Sequence, residues 1–322
     1  MKPTETAPQQ HRFFSLLPAH TNIPFMKYRK YAYVLSSLLI LATVGWLVVK
    51  GPRYSVDFTG GTLLQIKTAH PLPADEVRHV LDQLNRDRGI GVAELQSAGA
   101  GDELLIRLPK QATNAFGAID TALTQRFPGS HPELRRQETV GPRIGEELRS
   151  KALWAVLLSL GGILLYIGIR YEFKFAVGGV IAIFHDVFAA FGVLLFLHRE
   201  ISLTVVAALL TLAGYSVNDT IVVFDRIRER GKQLHKLSHE EVMNTAMNET
   251  LTRTLITSCT VFLATLSLYL FGGEVINDFA LCMLAGVIFG TYSSIYVASA
   301  LALDIWLWLD RRKGAARKAQ AA

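Results

Sequence analysis

Long apolar runs, separated by short polar segments, dominate the chain. Six of these runs come close to the roughly 20 residues that an α-helix needs to cross a bilayer. They are Tyr31–Val49, Ala152–Ile169, Phe175–Leu197, Ile201–Phe224, Thr254–Phe271 and Phe279–Trp306. Trp306 and Trp308 mark an interfacial end of the last run, as aromatic belts do. The pattern predicts a polytopic α-helical membrane protein with six transmembrane helices.

A different pattern occupies the segment between the first and second predicted helices. Its periodicities predict, in chain order, a strand at 62–68, a helix at 74–88, strands at 92–97 and 103–108, a helix at 111–127 and a strand at 133–140. The order βαββαβ is that of a ferredoxin-like fold. We therefore predict a small α+β ferredoxin-like external domain, a fold that by itself indicates no particular chemistry.

The distribution of lysine and arginine predicts the orientation. They concentrate in the two tails and in the middle loop, and the positive-inside rule places these segments in the cytoplasm. In the middle loop, Ser238 and Glu241 have the spacing of a capping box and predict a short amphipathic helix. The predicted divisions are a cytoplasmic N-tail at 1–30, transmembrane helix 1 at 31–49, a periplasmic α+β domain at 50–150, a five-helix transmembrane block at 151–306 with a cytoplasmic loop at 225–251, and a basic cytoplasmic C-tail at 307–322.

The composition supports a membrane protein and narrows the chemistry. Hydrophobic residues make up 50% of the chain, and the mean hydropathy is +0.29. The pI near 9.3 follows from the cytoplasmic lysines and arginines, so no nucleic-acid partner is implied. Cys259 and Cys282 both fall in predicted helices, so we expect neither a disulfide nor a metal site. No phosphate-binding loop or hydrolase motif occurs, so we expect no cofactor, no enzymatic activity and an ion gradient as the energy source.

Ionisable residues inside the predicted helices are the candidates for function, because a charge in the bilayer is costly. Thr211, Tyr215 and Asp219 recur at four-residue spacing, which places them on one face of the fourth helix. Arg253 and Thr257 have the same spacing at the start of the fifth helix. The depths of Asp219 and Arg253 agree within about two turns, so an extended arginine can reach the carboxylate.

An Asp219–Arg253 pair predicts a protonation switch. Moving the guanidinium away would let the carboxylate take a proton, and its return would expel that proton. The alternative is a static ion pair that fixes the register of the two helices. In the third helix, His185 and Asp186 form either a possible relay or a hydrogen-bonded core pair.

Small residues predict where the helices approach one another. Gly161–Gly162, Gly178–Gly179 and Gly286-x-x-x-Gly290 lie in the second, third and sixth predicted helices. Because glycine lacks a Cβ, such positions allow close packing of helix backbones. We predict a packing role for all three.

Several longer motifs resemble the SecD/SecF family of protein-export subunits, which belongs to the RND superfamily. The segment Val56–Asp57–Phe58–Thr59–Gly60–Gly61 resembles the family's Asp-Phe-x-Gly-Gly signature, and the glycines permit a tight turn at this structural junction, where Asp57 could cap or brace. Segments 214–223, 225–228, 253–258, 270–273 and 293–298 resemble the later helices of the six-span branch. The resemblance covers about residues 27–310.

The resemblance implies an accessory subunit of the Sec machinery in the bacterial inner membrane. Such a subunit uses the protonmotive force, with a SecD-like partner, to promote late-stage polypeptide translocation. The implied partners are this SecD-like subunit, the Sec translocon (SecYEG), the exported preprotein and membrane lipids. Asp219, Arg253 and Thr257 occupy places linked to proton transport in the family. Two alternatives stay open: a proton-coupled RND-type exporter of small molecules or lipids, and a non-conducting structural subunit.

Overall fold

The structure is a computed structural model and describes residues 21–91, 94–98, 101–109, 115–233 and 237–321. Most of the predicted N-tail and the first residues of the predicted elements at 92–97 and 111–127 lie outside the described residues. In chain order the elements are α1 (Arg29–Lys50), β1 (Arg53–Tyr54), α2 (Val56–Thr59), β2 (Gly61–Lys67), α3 (Ala74–Arg88), β3 (Glu94–Ala98), β4 (Glu103–Leu108), α4 (Ala115–Arg126), β5 (Glu133–Val140), α5 (Pro142–Arg170), α6 (Phe173–Phe196), β6 (Glu200–Ile201), α7 (Leu203–Gln233), α8 (His239–Phe271), α9 (Glu274–Ser293) and α10 (Ser299–Ala321).

Six helical stretches of the described chain are long and apolar enough to cross a membrane. They are Phe25–Lys50, Pro142–Arg170, Phe173–Phe196, Leu203–Gln233, His239–Phe271 and Ile276–Arg312. The first includes a 3-10 turn before α1, and the last joins α9 to α10 through a π-helical segment, Ser294–Ala298. Large apolar side chains lie exposed along α1, α5 and α8, as expected of helices whose solvent is lipid. The six predicted membrane helices are confirmed.

Two of these helices are longer than their apolar runs. α5 begins at Pro142, so residues 142–151, which precede the second apolar run, belong to the same helix. Proline suits the first helical position, where its missing N–H costs nothing. α8 begins after Ser238, whose hydroxyl and backbone form the predicted capping box with Glu241. The amphipathic helix of the middle loop is therefore the first part of α8 and not a separate element.

The chain divides into two compact units. One contains Lys50–Ser159 together with His198–Ala207, and the other contains the remaining helices. Two helices, α5 and α7, begin in the first unit and continue into the second. The strand β6 and the first residues of α7 therefore belong by packing to the α+β unit, although most of α7 belongs to the helical unit.

The α+β unit has the predicted ferredoxin-like fold. Its antiparallel sheet has the order β3-β4-β2-β5, so β4 inserts between the two strands that α3 connects. The inward residues of β2 and β4 alternate with outward ones, because successive strand residues point to opposite faces. The core consists of sheet residues and one face each of α3 and α4, including Leu64, Ile66, Val77, Leu81, Leu104, Ile106, Ile119 and Leu123.

The helical unit contains close approaches at two of the three glycine motifs. A Cβ on Gly178 would lie 2.6 Å from the backbone carbonyl oxygen of Ala298, and one on Gly286 would overlap the side chain of Leu212. Glycine at these positions lets α6 pack against the π-helical segment and α9 against α7. A Cβ on Gly161 or Gly162 would meet nothing within 4 Å among the described residues, so no close approach requires glycine at these two positions.

Candidate functional site

Asp219 lies in the interior of the helical unit and has a small set of hydroxyl neighbours. Its side chain is only 3% exposed, and the Ser258 hydroxyl donates to its Oδ2 at 3.4 Å. The Tyr215 hydroxyl donates to Ser258 Oγ at 3.2 Å, and the Thr291 hydroxyl donates to the same oxygen at 2.7 Å. We refer to Tyr215, Asp219, Ser258 and Thr291 as the Asp219 cluster. It joins α7, α8 and α9 through one serine oxygen.

The helical phase of α8 explains why Ser258 faces this carboxylate. Met243 and Met247 are buried in the first part of α8, and the same face continues through the buried Thr254 and Ser258. A helix repeats every 3.6 residues, so the face set by the methionines reaches Ser258 four turns later. The neighbouring Thr257, which the sequence indicates as a pathway residue, is half-buried and makes no hydrogen bond to Asp219.

Arg253 and Asp219 are not paired in this structure. No contact within 4.0 Å joins the guanidinium to the carboxylate, and the Arg253 side chain is exposed on α8. The described chain therefore brings together Asp219 and Tyr215 among the predicted pathway residues, and leaves Arg253 on an outer face. Thr211 is exposed on α7 as well, one turn before Tyr215.

A second buried carboxylate is held much more firmly. Asp186 is 0% exposed and accepts hydrogen bonds from Ser216 Oγ at 2.5 Å and Ser293 Oγ at 2.6 Å. His185 Nδ1 lies 2.9 Å from its other oxygen. We refer to His185, Asp186, Ser216 and Ser293 as the Asp186 cluster. A Cβ on Gly290 would lie 3.7 Å from Oδ2, an ordinary van der Waals distance, so the carboxylate does not require glycine at this position.

One atom of the Asp186 cluster has no protein partner. His185 Nε2 is buried and accepts or donates no hydrogen bond within the part of the chain that the structure describes. Burying an imidazole nitrogen without a partner is unfavourable, so this atom is available to a water molecule or to a second polar group. His185 and Asp186 are in contact, and the structure adds Ser216 and Ser293 to the two residues that the sequence indicated.

The two clusters lie at a similar level along α7 and α9. Ser216 and Asp219 are three residues apart on α7, a rise of about 4.5 Å. Thr291 and Ser293 are two residues apart on α9, immediately before the π-helical segment. Such π-segments often occur at functional sites, because the extra residue redirects the side chains around it. A change in the packing of α9 would therefore alter both clusters.

The family-signature residues lie at the start of the α+β unit. Asp57 Oδ2 accepts a hydrogen bond at 2.9 Å from the backbone N–H of Leu203, the first residue of α7. Gly60 and Gly61 have φ values of +71° and +120°, and a Cβ on Gly61 would overlap the carbonyl oxygen of Leu108. Only glycine fits at position 61 without displacing β4.

The described residues offer no set of metal ligands. No group of three or more His, Cys, Asp or Glu side chains lies close enough together to hold a metal ion in the described part of the chain. Cys259 is exposed and Cys282 is buried, and neither is in a disulfide. The polar side chains of the two clusters are carboxylates, hydroxyls and one imidazole.

Comparison with protein families gives two matches. The family model described as "SecD/SecF GG Motif" matches residues 45–71, which include Asp57, Gly60 and Gly61. The model described as "Protein export membrane protein SecD/SecF, C-terminal" matches residues 120–308, which include both clusters. This chain belongs to the SecD/SecF family. The resemblance inferred from the motifs is thereby confirmed.

Individual relatives place the chain within the SecD/SecF family. It is 42% identical over 295 residues to the protein translocase subunit SecF of Vibrio alginolyticus, covering 91% of this chain and 92% of that one. It is 39% identical over 290 residues to the protein translocase subunit SecF of Helicobacter pylori, covering 90% and 89%. These relatives match over almost their whole length.

Solved structures of SecDF share the fold of this SecD/SecF member. The crystal structure of SecDF, a translocon-associated membrane protein from Thermus thermophilus, superposes with a TM-score of 0.80 at 38% identity. The match covers 90% of this chain and 39% of the SecDF chain. SecDF in its super-membrane-facing form gives a TM-score of 0.68 at 38% identity, covering 95% and 41%. This chain therefore spans about two fifths of SecDF.

Proposed function

We propose that this SecD/SecF member is an accessory subunit of the Sec protein-export machinery that uses the protonmotive force, with a SecD-like partner, to promote late-stage polypeptide translocation. The observation that carries this proposal is Asp219, a carboxylate buried in a membrane helix and held by a single long hydrogen bond. Ionisable groups at such positions mark ion pathways, because burying them without a function is costly.

The Asp219 cluster has the parts of a proton-binding site. Ser258 Oγ accepts from two hydroxyls and donates to the carboxylate, so protons can pass along the hydroxyls of Tyr215, Ser258 and Thr291. A proton on Asp219 removes the charge from the helix interior. With a protonmotive force of about 150 mV, each transferred proton would deliver on the order of 3.5 kcal/mol.

Arg253 enters the cycle in a second state. In this structure it is exposed on α8 and forms no ion pair with the carboxylate, which is the arrangement expected when Asp219 carries a proton. Approach of the guanidinium would favour the ionised carboxylate and release that proton. Thr257, one turn from Arg253 on the same helix, lies half-buried beside this route. A static pair does not account for the separation of the two side chains.

A SecD-like partner accounts for the polar outer face. Thr211, Gly214 and Asn218 on α7 and Arg253 on α8 are all exposed. A charged and polar face is unfavourable against lipid tails, so another protein surface must cover it in the membrane. The solved SecDF chain is more than twice the length of this one, and the proposed SecD-like subunit would supply the remainder.

His185 and Asp186 are the proposed relay. The carboxylate accepts from two serine hydroxyls and contacts His185 Nδ1. When Nδ1 carries the imidazole proton and donates it, the unpaired Nε2 can accept a proton from a buried water and later return it. This role is secondary to that of Asp219, because the short hydrogen bonds to Ser216 and Ser293 also suit a purely structural junction of α6, α7 and α9.

The proposed setting is the bacterial inner membrane. Six apolar helices and the SecF relatives support a multi-pass protein there. Both termini would be cytoplasmic and the α+β unit periplasmic, as the lysine and arginine distribution predicts. The partners would be the SecD-like subunit, the SecYEG translocon and the exported preprotein, with membrane lipids as solvent and no nucleic acid. The chain would act as a transport subunit and not as an enzyme.

Export in membrane vesicles tests the proposal. Vesicles contain the Sec machinery, a SecD-like subunit and either the native chain, Asp219→Asn or Asp75→Asn, and completion of preprotein export is followed with and without a proton gradient. Asp75 is the matched control because its side chain is 91% exposed in the α+β unit. We expect the gradient to accelerate export with the native chain and the control only. Equal acceleration with Asp219→Asn in assembled complexes would favour a non-conducting subunit.

A further inference from the structure

The first turn of α7 is held by two capping side chains. The first amides of a helix have no partner within the helix and need one elsewhere. The hydroxyl of Ser202 accepts from the N–H of Val205 at 3.2 Å, which is ordinary local capping. The N–H of Leu203 is bound at 2.9 Å by the carboxylate of Asp57, which is 146 residues earlier in the chain.

The family signature holds Asp57 rigidly. Asp57 lies in α2, a single turn whose start is capped by Ser55 Oγ and whose end is closed by the Gly60 N–H bonding to the carbonyl of Val56. Gly61 then begins β2, where only glycine fits against the Leu108 carbonyl. The carboxylate is therefore carried by the sheet through a short, constrained turn.

Three further contacts join the same end of α7 to the α+β unit. β1 pairs in parallel with β6, with Arg53 opposite Glu200 and Tyr54 opposite Ile201. The N–H of Ser55 donates to the carbonyl of Ile201 at 3.0 Å. The guanidinium of Arg107, on β4, forms an ion pair with Glu200. The segment just before α7 is thus an added part of the domain and not a free loop.

We propose that Asp57 is a positioning residue for proton coupling, which links the α+β unit to Asp219 through α7. The helix is continuous from Leu203 to Gln233, and Asp219 lies 16 residues after Leu203, or about 24 Å along the axis. A displacement of the first turn is therefore transmitted to the buried carboxylate. This inference rests on the proposed function and identifies the residue through which the domain acts on the proton site.

The chemistry of aspartate suits this role. A carboxylate at a helix N-terminus gains from the helix dipole and from a charge-assisted hydrogen bond. Asparagine at position 57 would keep an acceptor oxygen without the charge, and alanine would remove both. The series Asp, Asn, Ala therefore weakens the connection in two steps. Neither substitution replaces a residue of the Asp219 cluster or of the Asp186 cluster.

The experiment uses the full chain assembled with a SecD-like subunit and the Sec translocon in vesicles. The variants are Asp57→Asn and Asp57→Ala, with Asp75→Asn as the exposed control. Hydrogen exchange of the first turn of α7 reports the cap, and the ratio of export with and without a proton gradient reports coupling. We expect exchange about tenfold faster in Asp57→Ala. In Asp57→Ala we also expect the proton gradient to stimulate export several-fold less than in the native chain, and Asp57→Asn should show an intermediate effect. Assembly and gradient-independent export should stay at the native level in both variants.

Other outcomes would overturn the inference. Faster exchange in Asp57→Ala with native gradient stimulation would show that the cap does not transmit movement. Equal losses of gradient-dependent and gradient-independent export in Asp57→Ala would show that Asp57 contributes to folding and not to coupling. Asp219→Asn, measured in parallel, separates the two proposals. If it abolishes gradient stimulation while Asp57→Ala retains it, only the inference fails; if Asp219→Asn retains stimulation, the proposed function fails and the inference with it.

Discussion

Asp186 and Asp219 are both buried carboxylates, but their surroundings suit different tasks. Asp186 accepts two short hydrogen bonds from serines and contacts His185, so its position is fixed. Asp219 has one hydrogen bond of 3.4 Å, from Ser258. A loosely held carboxylate can exchange partners at little cost, whereas a fully bonded one resists change. At the scale of single residues, Asp219 is therefore the better proton carrier.

Ser258 provides the prediction at this scale. Replacing it with alanine removes the one hydroxyl among the described residues that donates to Asp219, and it disconnects Tyr215 and Thr291 from the carboxylate. We expect Ser258→Ala to lower the gradient stimulation of export several-fold while the free energy of unfolding falls by only about 1 kcal/mol. Export in vesicles and thermal unfolding measure the two effects. The matched control is Thr260→Ala, on the exposed face of α8, and an equal loss in the control would contradict the prediction.

The difference between prediction and structure at Ser258 has a physical cause. The sequence identified Asp219 because a charge in an apolar run is visible without any coordinates. Ser258 carries no comparable signal, because serine is common in membrane helices and the direction of its side chain depends on the phase of α8. Met243 and Met247 set that phase once the amphipathic segment is taken as the start of the same helix. The depth of Arg253 predicts a pairing with Asp219, but depth does not specify the side of a helix on which a residue lies.

At the scale of elements, local patterns predicted the α+β unit well. α3 has the predicted bounds, and β4 and β5 agree with the predicted strands, because alternation and helical periodicity act within one element. Such local patterns could not predict the hydrogen bond between Asp57 and Leu203, since it joins residues 146 positions apart. The sequence indicated a cap or brace at Asp57, but only the fold shows that it caps α7.

The packing of α6 against the π-helical segment gives the prediction for elements. A Cβ on Gly178 would meet the Ala298 carbonyl at 2.6 Å, whereas Gly161 meets nothing within 4 Å. We expect Gly178→Ala to destabilise the protein by about 1–3 kcal/mol through overpacking. Gly161→Ala should be neutral or stabilising, because alanine favours the helix. Thermal unfolding of the two purified variants checks this pair, and equal melting temperatures would contradict it.

At the scale of the whole molecule, the outer surface of the helical unit is not uniform. α5 presents large apolar side chains such as Leu165, which is 64% exposed. The neighbouring faces of α7 and α8 present Asn218 and Arg253 instead. Lipid suits the first surface and not the second, so the two should differ in what covers them.

Oxygen accessibility of spin labels tests this difference. Labels are placed at Asn218→Cys or Leu165→Cys in a Cys259→Ser background, because native Cys259 is exposed. We expect the label at position 218 to be accessible to membrane-dissolved oxygen in the chain alone and several-fold less accessible once the SecD-like subunit is bound. The label at 165 should stay accessible in both samples, since α5 would remain against lipid.

A label at 218 that stays equally accessible in the assembled complex would show that this face is not the partner surface. The exposed Arg253 would then need a polar neighbour from the lipid headgroups, which it can reach because it lies near the end of the apolar part of α8.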